Sequence, residues 1–112
     1  MNPNLLHSLF DGDAELQQEL AALFLDISPQ QLAAVRDAIE HRDAAALEFT
    51  AHAIKGSLSN FAASEALQAA QKLESMGRNR DWNQAADAFQ VLEQQLRALR
   101  STLIDFQKEC VR

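Results

Sequence analysis

Apolar residues recur along this chain in steps of three and four, the spacing that gathers side chains onto one face of an α-helix. The longest run is Ala85, Phe89, Leu92, Leu96, Leu99, Leu103 and Phe106. It keeps that rhythm without a break and predicts a helix of roughly 35 Å, long enough to overhang its partners. A second clear seam is Leu47, Ala51, Ile54, Leu58 and Phe61, on a helix opened by Asp43 as N-cap. From Ser64 to Met76 the inward positions are Ala66, Leu67, Ala70 and Leu73. Gly77 follows in the usual place for a helix stop, and Arg78 to Trp82 reads as the connection. Nearer the start, Asp13 is a candidate N-cap for a stripe of Leu16, Leu20, Leu23, Phe24 and Ile27. Ser28-Pro29 then reads as a cap with proline at the first helical position. That predicts a separate, shorter helix burying Leu32, Val35 and Ile39 and turning at His41-Arg42. Asn2 to Phe10 is expected to form a short helix, with Leu5, Leu6 and Phe10 covering one end of the fold. Short connections make sequential helices pack antiparallel, so the expected fold is all-α, an antiparallel up-and-down four-helix bundle.

Composition agrees with helix rather than sheet: the chain has three Gly, two Pro and no Tyr among 112 residues, and β-branched and aromatic residues are scarce. That length suits one domain spanning residues 1–112. The formal charge of −6 argues against nucleic acid or an anionic membrane as partner, since both call for a basic field. No Lys or Arg precedes Arg36, whereas Asp11, Asp13, Glu15, Glu19 and Asp26 fall in that stretch, so one end of the fold is expected to be an acidic, solvated face. The single cysteine, Cys110, cannot form an internal disulfide, and no apolar N-terminal run resembles a signal peptide, which together predict a cytoplasmic location. No apolar run approaches the roughly 20 residues that membrane insertion requires.

The chemistry concentrates in Ala51-His52-Ala53-Ile54-Lys55-Gly56-Ser57. At about 100° per residue, His52 lies well off the apolar seam of its helix, on an outward stripe with Glu48, Lys55, Gly56 and Ser59. A neutral imidazole nitrogen is a competent nucleophile toward phosphorus, and an ammonium one turn away can offset the charge of the oxygens it gains. Gly56 costs up to about 1 kcal/mol relative to alanine inside a helix, so it needs a reason. Either it clears space for an incoming active site, or it permits tight helix–helix packing. Ser59 stands one turn further along the stripe, within reach of a phosphoryl oxygen. Gln71, Glu74 and Arg78 recur at i, i+3 and i+7 and form one polar edge of the next helix. Phe49 points away from its own seam, either to dock a partner or to pack against the helix starting at Asp13 or the N-terminal segment. His7, His41 and His52 lack the spacing of a metal site. Without a glycine-rich loop to cradle a nucleotide, the chain is expected to carry phosphate rather than to act as an ATP-using enzyme.

The segment from Ala51 through Ser57, followed by Asn60-Phe61-Ala62-Ala63, resembles the signature of the histidine-containing phosphotransfer (Hpt) domain family. Further likeness runs from about Asp11 to Arg78, through Gly12-Asp13, Phe24-Leu25, His41-Arg42-Asp43, Ala66-Leu67 and Leu73-Glu74. The resemblance implies a four-helix bundle with the phosphorylated histidine, here His52, exposed on the helix starting at Asp43. It implies that Glu74 accepts a hydrogen bond from the His52 Nδ1–H, leaving Nε2 free, and that Gln71 and Arg78 line the site. Implied partners are response-regulator receiver domains and a hybrid sensor histidine kinase. No cofactor is expected on this chain, with Mg²⁺ and most catalytic groups supplied by the receiver, and a monomer is expected. Two other functions stay open: the phosphoacceptor domain of a larger sensor or chemotaxis kinase, and a receiver-binding module without transfer. The Met1-Asn2-Pro3 start and modest length lean toward a free-standing protein. One position departs from the pattern, Ala62 standing where the family usually has a second glycine.

Overall fold

The computed structural model describes residues 14–110, which form four helices: α1 Ala14–Glu40, α2 Ala44–Leu58, α3 Ser64–Asn79 and α4 Ala85–Cys110. The expected cap at Asp13 and the short helix over Asn2 to Phe10 lie outside the described residues. Each helix packs on the next, and α1 closes the ring against α4, giving the expected antiparallel bundle. None of the described helices is long and apolar enough to cross a membrane.

Helix α2 follows its sequence pattern closely. The Asp43 carboxylate accepts from the Ala46 N–H at 3.1 Å, and Leu47, Ala51, Ile54 and Leu58 are buried. The helix ends at Leu58, before the last seam residue, yet Phe61 stays buried in the turn and meets Phe24 edge-on at 5.2 Å. Ala62 lies in that turn, and the non-glycine residues with positive φ among those described are Arg42 and Arg80. No left-handed conformation is therefore required at Ala62, which explains why alanine is tolerated there. In α4 the predicted seam is buried except for Phe89, which is partly covered.

Helix α1 departs from expectation in two ways. It runs unbroken through Ser28-Pro29, with Pro29 in its interior. A proline there removes the N–H that would bond the carbonyl four residues back and costs about 3 kcal/mol. That carbonyl belongs to Leu25, and it accepts instead from Arg100 Nη1 at 2.8 Å. The same nitrogen donates to Ser28 Oγ at 2.8 Å, so Ser28 is buried and bonded to α4 rather than capping a new helix. Replacing Arg100 with alanine leaves both oxygens unpartnered and is expected to destabilise the fold by about 1–3 kcal/mol in urea unfolding. Adding Pro29→Ala, which restores the missing N–H, should recover part of that loss. The second departure is the buried line of α1, which is Gln17, Ala21, Phe24, Ser28, Val35 and Ala38, while Leu16 and Leu23 are exposed. The buried line shares Phe24 with the predicted stripe, and Leu20 packs partly against the core beside it.

Helix α3 also runs past its predicted stop. It continues through Gly77 and Arg78 to Asn79 and ends on Arg80 in the left-handed conformation, φ 55°. Arg80 N–H donates to Gly77 O at 3.3 Å and Asp81 N–H to Met76 O at 2.9 Å, which satisfies the last carbonyls. Gly77 is buried against α2, where a Cβ would lie 2.5 Å from Glu48 N and 2.9 Å from Ala44 O. Its role is close approach of two backbones rather than termination. The connection is accordingly shifted to residues 80–84, and Trp82 within it packs partly against the core and under the Arg42 guanidinium at 6.0 Å.

Candidate functional site

The helical pitch carries His52 to the outer surface of α2, beside α3, with its side chain 69% exposed. Glu74, on the facing edge of α3, is almost entirely buried. Its Oε2 lies 2.6 Å from His52 Nδ1 and its Oε1 2.6 Å from Lys55 Nζ. Burying a carboxylate costs free energy unless its oxygens are bonded, and here each oxygen has a partner. The Lys55 ammonium, through its hydrogen bond, is the largest influence holding the Glu74 carboxyl below its ordinary value of 4.5; burial opposes it and His52 adds to it. Ionised Glu74 can only accept, so His52 Nδ1 must be the protonated nitrogen. The lone pair then resides on Nε2.

A depressed folded-state pKa favours folding above the ordinary carboxylate range, and this contribution disappears as pH falls through the folded value. Glu74→Gln is therefore expected to lose less stability than the parent between about pH 6 and about pH 3, measured as urea midpoints.

Arg78 lies at the same edge, donating from Nε to Glu48 Oε2 at 3.0 Å, with Nη2 3.7 Å from Glu74 Oε2. Glu48 was legible only as a member of the His52 stripe; its partner is 30 residues away along the chain. Gly56 is exposed, and a Cβ added there meets nothing within 4 Å. Tight helix packing is thereby removed as its reason. Phe49 is 76% exposed, which leaves it on the open surface rather than against α1.

Other residues singled out in the sequence stand differently. Ser59 is the C-cap of α2, and its Oγ donates to Gly56 O at 2.6 Å, so the hydroxyl is engaged by its own helix end. Gln71 is exposed one turn before Glu74. Lys55 is only partly exposed and paired with Glu74. Among the described residues there is no cluster of His, Cys, Asp or Glu able to hold a metal ion.

An imidazole with one nitrogen bonded to a buried carboxylate and the other facing solvent, with a cation and an unencumbered helix surface beside it, is arranged for attack by Nε2 on an external electrophile. The fold is similar to the crystal structure of histidine-containing phosphotransfer protein B from Pseudomonas aeruginosa PAO1, with TM-score 0.87 and 24% identity over 97% of this chain and 95% of that one. No curated protein matches in sequence. The family model of the Hpt domain matches residues 19–102, from the first half of α1 to the last third of α4, and by that match the chain belongs to the Hpt domain family.

Proposed function

We propose that this protein is a phosphorelay carrier in which His52 accepts a phosphoryl group from an aspartyl phosphate on a response-regulator receiver domain and passes it to the aspartate of another. The observation that carries this reading is the bond from His52 Nδ1–H to Glu74, which leaves the Nε2 lone pair outward. In the forward step that lone pair attacks phosphorus, the N–P bond forms, the acyl-phosphate P–O bond breaks and the aspartate carboxylate departs. No proton moves, because Nδ1 keeps its hydrogen throughout. The ring gains positive character, and the Glu74 carboxylate offsets it. Lys55 leaves Glu74 to meet the phosphoryl oxygens, with Arg78 close enough to Glu74 to take its place. Passing the group on is the reverse step at a second aspartate.

Mg²⁺ belongs to the receiver in this scheme, where it shields the phosphoryl oxygens. The carrier adds an accessible nucleophile and positioning. Gly56 supplies clearance and Phe49 an apolar contact for the docking receiver. Gln71 and Ser59 stand at the rim as polar contacts. A hybrid sensor kinase is the source of the phosphoryl group, and the chain acts as a monomeric substrate and intermediate rather than as an enzyme.

The test is incubation with several phosphorylated receiver domains and Mg²⁺, followed by assay for an acid-labile, base-stable label on this chain. Label is expected from at least one donor. No label from any of them would favour the phosphoacceptor domain of a larger kinase or a module that only binds.

A further inference from the structure

We infer that Gly77 is a positioning residue for His52: by letting the backbones of α2 and α3 touch, it sets the distance at which Glu74 fixes the imidazole tautomer. The inference rests on the phosphocarrier reading above but concerns a residue to which that reading gives no part.

The geometry is a ladder between two antiparallel helices. At one rung Gly77 abuts α2, where a Cβ would stand 2.5 Å from Glu48 N, 2.9 Å from Ala44 O and 3.0 Å from Glu48 Cα. All three neighbours are backbone atoms of a regular helix, so no rotamer change can relieve the contact. The next rung is reached by stepping back three residues on α3, to Glu74, and forward four on α2, to His52. There the Oε2 to Nδ1 distance is 2.6 Å. Arg78, adjacent to Gly77, bridges back to Glu48 at 3.0 Å. The closest backbone approach and the hydrogen bond that orients the nucleophile are thus consecutive turns of one interface.

A methyl group at residue 77 needs ordinary van der Waals contact, which begins at 3.4 Å. The two helices must then separate locally by roughly 1 Å, which carries the Glu74–His52 pair past the distance at which a hydrogen bond holds. Glu74 is buried on α3, whereas Lys55 rides on α2 with His52, so the separation stretches both of the carboxylate's bonds together. Loss of the charge-assisted bond lowers the ratio of the Nδ1–H to the Nε2–H tautomer by about tenfold. The result is a folded bundle whose histidine presents the wrong nitrogen.

The experiment is long-range ¹H–¹⁵N correlation of the histidine side chains in ¹⁵N-labelled protein, with His52→Gln identifying the His52 signals. In the parent, the Nδ1–H tautomer of His52 should dominate. In Gly77→Ala, with far-UV circular dichroism unchanged, that tautomer ratio should fall about tenfold. In a Glu74→Ala background, Gly77→Ala should change the His52 tautomer no further, a dependence that a merely structural glycine would lack. A folded Gly77→Ala protein with the parent's tautomer ratio would overturn the assignment. Should Gly77→Ala be unfolded in buffer, the spectra are repeated in trimethylamine N-oxide, which favours the compact state. A chain still unfolded there also overturns it, in favour of a glycine needed only for stability. Because the tautomer is read without any phosphodonor, failure of phosphotransfer in the parent would count against the carrier reading and leave this result standing.

Discussion

His52→Gln is expected to carry no label above background from any phosphorylated receiver domain, while its unfolding midpoint stays close to that of the parent. The two halves of that expectation have separate physical grounds. Glutamine has no ring nitrogen to form an N–P bond, so loss of acceptance should be complete rather than partial. Stability changes little because the His52 side chain is 69% exposed and makes no contribution to the buried seam of α2. Glu74 keeps the Lys55 ammonium at 2.6 Å, so the buried carboxylate is not stranded, and the glutamine amide can donate in place of the lost Nδ1–H. Residual acid-labile label on the variant would mean that a different side chain is the acceptor. A large fall in stability would mean that the Glu74 bond is chiefly a packing device.

Gly56→Glu is expected to separate chemistry from docking. Its Cβ meets nothing within 4 Å, and replacing glycine inside a helix gains up to about 1 kcal/mol, so the variant should be at least as stable as the parent. Transfer from a receiver domain should nevertheless slow by at least about 100-fold, because a bulky anion one turn from His52 keeps the aspartyl phosphate from the in-line geometry that attack requires. A small donor such as phosphoramidate needs no such clearance and should label His52 in parent and variant alike. Equal rates with the receiver would remove the clearance argument, and loss of labelling by both donors would show instead that the new carboxylate disables the imidazole itself.

What could be read from the sequence and what could not divide along a physical line. Helix α2 was legible from Asp43 to Leu58 because its cap, its seam and the outward stripe bearing His52, Lys55 and Gly56 are all encoded within one element. The pairing of His52 with Glu74 entered only through family resemblance, since periodicity puts each residue on an edge of its helix without saying that the edges meet. The misreadings came where a local signal was overruled from a distance. Ser28-Pro29 carries a regular start signal, and Gly77 a regular stop signal. The first is cancelled by Arg100, which satisfies the Leu25 carbonyl across 75 residues. The second is cancelled because α2 lies against Gly77, so the glycine serves contact between helices and the chain turns three residues later at Arg80. Likewise the leucine stripe of α1 suggested the buried side, yet Ala21 and Ser28 are buried while Leu16 and Leu23 are exposed.

The Arg100 bridge also bears on the order in which the fold can be assembled. The hydrogen bonds that join α2 to α3 at the His52 site link residues 19 to 30 apart, within a single hairpin. The bond that carries α1 across its proline closes a loop of 75. Loop-closure entropy makes that ring costlier by roughly 1 kcal/mol, and the bond that offsets the proline in α1 forms only with α4 in place. The α2–α3 hairpin thus makes its bonds across short loops, whereas the longest described helix draws the partner for its proline gap from near the far end of the chain.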